Sequence, residues 1–162
     1  MSDALLFSSL SALPKVAQAL SPAASALQMV SLAAAGSTLL FQILQFTSMM
    51  GGSATSVLFE LVWTLVSMVY PLGAVWTLVS PERERALLAD RFWMVYISAA
   101  LYVALILLNF DLILGEAAKQ LRTESSALVK SLTVANTVAA SVTVVSVTSY
   151  SALAAEDYLV AA

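Results

Sequence analysis

The chain has 162 residues, 60 % hydrophobic and only 10 % charged, with a formal net charge of −3. A water-soluble domain is nearer half apolar and a quarter charged, so this composition points to a membrane environment and excludes disorder. The chain contains no histidine and no cysteine. That excludes Ser-His and Cys-His catalysis, thiolate metal sites, haem held by His or Cys, and disulfides. Seven basic residues without a basic patch exclude nucleic acid as a partner.

The expected fold is an all-α integral membrane protein: a four-transmembrane-helix bundle with an N-terminal interfacial amphipathic segment. That segment covers residues 1–20, and residues 21–162 form one four-span unit. Leu6, Leu10, Leu13, Ala17 and Leu20 recur at helical spacing, interrupted by Pro14, as in a segment lying on a membrane surface. The N-terminus carries Asp3 where a secretory signal has basic residues, so it reads as retained.

The first span is expected over residues 22–50. Ser21-Pro22 supplies an N-cap and a first-turn proline. Its length, about 43 Å at ~1.5 Å per residue, exceeds a ~30 Å hydrocarbon core, so it tilts or projects. The Gly51-Gly52 turn then makes an antiparallel hairpin with a second span over 55–79. Pro71, followed by Gly73, predicts a kink there.

Ser80-Pro81-Glu82 opens another helix. It is expected to run on through Phe92 to Leu114, with 92–114 apolar enough to span. The piece from Pro81 to Arg91 is expected to project into water as an ion-paired stub. A polar connection over 116–130 leads to the last span, 131–155. Val144 to Thr148 favours a strand in water, but lipid requires internally paired backbone and so favours helix. The tail from Glu156 leaves the membrane.

Four spans put both termini on one side, with Lys15, Arg83, Arg85 and Arg91. Lys119, Arg122 and Lys130 lie on the other. Four against three gives no positive-inside orientation. The string Val-Trp-Thr-Leu-Val-Ser occurs at 62–67 and again at 75–80. Thirteen residues rotate a helix by about 220°, so the copies face different ways and read as a chance echo.

Depth is the informative feature. Gln42, Gln45, Glu60, Asn109, Asp111 and Asn136 all fall in the same leaflet. Glu60 and Asp111 lie roughly 6–8 Å inside the boundary, where the ~2.5–3.5 kcal/mol midplane penalty of a charge falls. This layer reads either as a partner contact and register device or as an ion path. Small residues mark expected helix-packing faces: Ser31, Ala35 and Gly36 in the first span, and Ala135, Ala139 and Thr143 in the last.

No phosphate loop, metal cluster or catalytic carboxylate spacing occurs, so no enzyme activity and no cofactor are expected. Bound lipid is expected, and a chlorophyll-type pigment stays open because Glu or Asn can replace His. The expected role is a non-catalytic accessory subunit of a larger membrane complex, with other membrane subunits as partners and a homo-oligomer as a further possibility. The alternative is a small ion or proton channel or transporter using the Glu60/Asp111 layer. The loop-poor design suggests an energy-transducing inner membrane.

Overall fold

A computed structural model describes residues 22–48, 54–114 and 127–161, which form five α-helices. These are α1 (Pro22–Ser48), α2 (Ala54–Leu78), α3 (Pro81–Asp90), α4 (Phe92–Leu114) and α5 (Ala127–Ala161). The expected N-terminal amphipathic segment, the Gly51-Gly52 turn, Lys119 and Arg122 lie outside the described residues.

Four helices, α1, α2, α4 and α5, are long and apolar enough to cross a membrane. Large apolar side chains face outward along them, among them Met29, Leu58, Val69, Leu101 and Val145. Water disfavours a contiguous apolar surface of this kind, and lipid does not. The helices are thus consistent with a multi-pass membrane protein.

The principal packing is antiparallel, between α1 and α5. On α5 the buried positions Val129, Thr133, Asn136, Ala140, Thr143, Val147, Tyr150 and Ala154 alternate steps of four and three. On α1, Ser31, Ala35, Thr38, Gln42 and Gln45 do the same. That 3.5-residue period keeps one seam facing its partner, and the small residues let the backbones approach. Helix α2 flanks α1, and α4 flanks α5.

Helix α5 is longer than expected. It begins at Ala127, so Lys130 lies within it, exposed, and it continues to Ala161. The Val144 to Thr148 stretch is helical throughout. Helix α2 also runs without interruption through Pro71, whose ring is fully buried.

Two expectations about α3 are overturned. The helix does not continue into α4. It stops at Arg91, whose backbone leaves helical geometry at φ −135° and ψ 34°. Nor does it project into water. It folds across the end of the bundle against α2, α4 and α5, burying Leu88 and Glu84. The break is what permits this: a continuous helix would carry Leu88 away from the core formed by Ala24, Leu78, Val95, Val147, Tyr150 and Ala154.

The start of α3 is the expected one. Ser80 is the N-cap, with its Oγ accepting from the Arg83 N–H at 3.5 Å and its carbonyl from the Glu84 N–H at 3.0 Å. The last carbonyls of α2 are satisfied across elements. Gln28 Nε2 donates to the Leu78 carbonyl at 3.2 Å, and Arg83 Nε donates to that of Trp76 at 2.9 Å. The Arg83 guanidinium also lies 3.8 Å above the Trp76 ring.

Candidate functional site

The two ends of the bundle differ in chemistry. At the end away from α3, the structure places Gln42, Gln45, Glu60, Asn109 and Asn136 in the interior. Asn136 Nδ2 on α5 donates to Gln42 Oε1 on α1 at 2.8 Å. Trp63 Nε1 on α2 donates to Asn109 Oδ1 on α4 at 3.1 Å. One step deeper, the hydroxyls of Thr38 and Thr143 lie 3.0 Å apart across the α1–α5 seam. Each also lies within hydrogen-bond distance of the carbonyl one turn back on its own helix, Ala34 and Ala139 respectively, so one hydroxyl can donate across the seam while the other donates to its own helix.

Asp111 does not join this layer; its side chain is exposed. Two residues on a helix differ by about 200°, so Asn109 and Asp111 cannot both face inward. The cavity lined by Gln42, Ser67, Tyr102, Asn109 and Asn136 measures about 10 Å³, room for at most one water. Gln45 Oε1 and Asn136 Oδ1 are buried without a hydrogen bond from any described residue.

Of the expected packing faces, Ser31, Ala35 and Thr143 lie buried in the α1–α5 seam. Gly36 does not: it is exposed, with nothing within 4 Å of where a Cβ would stand. Ala135 and Ala139 sit half-buried at the seam's edge, because its centre follows Asn136 and Ala140 instead.

The other end holds a feature that sequence reasoning missed. Helices α2 and α4 touch through Trp63 with Asn109, and again through Tyr70 stacked on Tyr102 at 4.5 Å between ring centroids. Around that stack and on toward α3 they leave a cleft of about 460 Å³. Its walls are apolar, from residues such as Val66, Val69, Met94, Val95 and Leu101. Gly73 also lines it, with open space for at least 4 Å around the place a Cβ would take.

Glu84 and Tyr150 line the α3 end of this cleft. The Tyr150 hydroxyl donates to Glu84 Oε1, and both side chains are fully buried. Burial pushes the Glu84 carboxyl up to about 7, although the bond from Tyr150 pulls the other way. A signal for this placement existed: Glu84 lies one turn before Leu88, on the same face. Tyr150 likewise falls on the seam period of α5.

Among the described residues, no group of three or more His, Cys, Asp or Glu is placed to hold a metal ion. Compared with known protein families, characterised proteins and solved structures, the chain matches none.

Proposed function

We propose that this protein is a multi-pass membrane protein that serves as a non-catalytic structural subunit of a larger membrane assembly. One observation carries the reading: Asn136 bonds to Gln42 and Asn109 accepts from Trp63 between helices, and the cavity these residues line, among the described residues, measures about 10 Å³. Groups arranged this way fix helix rotation and register. An ion path needs a continuous, hydrated route, and this packing favours register over conduction.

Asp111 then has a separate part. Exposed near the end of α4, it is within reach of a basic group on a neighbouring subunit. Glu60, buried on α2, acts within the bundle.

The test is native mass after extraction from the source membrane in mild detergent, with co-migrating proteins identified. The expected result is a fixed-stoichiometry position in a large assembly. Asp111→Asn is expected to release the subunit while its own unfolding temperature holds; Glu60→Gln is expected to lower that temperature. A lone monomer or homo-oligomer that conducts ions after reconstitution, with flux abolished by Glu60→Gln, overturns the reading.

A further inference from the structure

The cleft between α2 and α4 carries the Tyr70–Tyr102 stack in its wall, and Val69 and Leu101, which also line it, are exposed on its outer side. Its volume of about 460 Å³ falls in the range of small-molecule sites, roughly 300–1,000 Å³. It runs along α2 from Val66 to Leu78, roughly 18 Å at ~1.5 Å per residue. Both flanking helices are of membrane length, so in a bilayer that outer side faces acyl chains.

The polar end of the cleft has one sign. Glu84 is its acid, and none of its lining residues is Lys or Arg. Of the two basic neighbours of Glu84 on α3, Arg83 is turned onto the Trp76 ring and carbonyl, and Arg85 is not among the lining residues either. One Glu84 oxygen is occupied by Tyr150, and a carboxylate has acceptor capacity beyond that bond. A buried carboxylate gains most from a charge-assisted donor and is disfavoured beside a second anion.

We infer that this cleft binds a single-chain amphiphile with a cationic amine head: the chain lies against the apolar walls of α2 and α4, and the ammonium bonds to Glu84. A fatty acid of the same length fits the walls but places two carboxyl groups together. An alcohol fits the walls without the ion pair. The inference is independent of the assembly reading.

The test is photo-crosslinking of the full chain in phosphatidylcholine vesicles, with a diazirine-bearing long-chain primary amine as probe. Labelled peptides are mapped, and dodecylamine, dodecanol and dodecanoic acid are used as competitors. Label is expected on the cleft-lining stretches of α2 and α4. Dodecylamine is expected to displace it at a concentration about tenfold below that of the acid, one decade of affinity. Glu84→Gln is expected to remove that preference.

Gly73→Leu adds bulk where nothing lies within 4 Å of the Cβ position, and leaves the Glu84 carboxyl in place. It is expected to reduce labelling about tenfold with the unfolding temperature unchanged. Ser98→Leu, on the opposite wall, serves where either variant fails to fold. Displacement by dodecylamine but not by added ethanolamine phospholipid identifies a free single-chain amine; displacement by the two-chain, phosphate-bearing lipid at equal concentration overturns the inference. Label spread evenly over outward-facing residues, equal competition by amine and acid, or unchanged labelling of both filled-cleft variants overturns the inference.

Discussion

Tyr150 of α5 donates its hydroxyl to the carboxylate of Glu84 on α3, closing a contact between residues 66 positions apart at the centre of the apolar end of the bundle. This bond holds α3 across the helix ends. It also makes Glu84 a buried carboxylate beside an apolar cleft, so its protonation reports on folding.

Stability should fall as pH rises through the acid range. Burial raises the folded-state value of Glu84 from 4.5 to about 7. The folded state therefore binds more protons than the unfolded state between those values. The contribution of neutral Glu84 is complete below about 4.5 and is lost on approaching and passing about 7. A displacement of this size corresponds to roughly 3 kcal/mol before solvent screening. Unfolding temperature followed against pH in detergent is expected to decline over this window, with a clearly shallower decline in Glu84→Gln.

Tyr150→Phe removes the donor and leaves the carboxylate buried. The expected loss is about 1–3 kcal/mol. The Tyr150 bond favours the ionised form, so its removal moves Glu84 further upward and shifts the pH-dependent decline to higher pH. A double-mutant cycle with Glu84→Gln checks the coupling. Strictly additive effects would remove the bond from the account of stability.

The α1–α5 seam should reject bulk at its centre and accept it outside. Ala140→Leu, at a position 1 % exposed, is expected to cost about 1–3 kcal/mol or more through overpacking. Val145→Leu, on the outward face, is expected to stay within about 0.5 kcal/mol. Chemical denaturation of both variants in the same detergent compares them.

The two tryptophans of the repeated string should behave unequally. Trp63 donates to Asn109 across helices, and Phe cannot replace that bond; a loss of about 0.5–2 kcal/mol is expected. Trp76 is exposed beneath Arg83, and Trp76→Phe keeps an aromatic face there, with an expected change within about 0.5 kcal/mol. Equal losses in the two variants would contradict the different settings of the two copies.

Much of the helix pattern is legible in residue order alone. Hydropathy locates four long apolar segments, Ser80-Pro81 marks the start of α3, and depth arithmetic brings Gln42, Asn109 and Asn136 to one end. What residue order leaves open is rotation. Asp111 belongs to the right depth and faces outward because Asn109 takes the interior, bonded to Trp63. Gly36 adjoins Ala35 but is turned from it by about 100°, so one lies in the seam and the other outside it. The folding-over of α3 is hidden for a different reason. Pro81 to Arg91 is polar enough to be solvated, and only the apolar surface offered by α2 and α5 draws Leu88 inward.

The most closely mated helices, α1 and α5, are also the first and last of the four membrane-length helices. Synthesis proceeds from the N-terminus. Gln42 and Thr38 are therefore made well before their seam partners Asn136 and Thr143. The hydroxyls of Ser31 and Thr38 are satisfied meanwhile by carbonyls of their own helix, whereas the Gln42 side chain gains its partner only from α5. The seam that packs most extensively is thus the one that closes last in the order of synthesis.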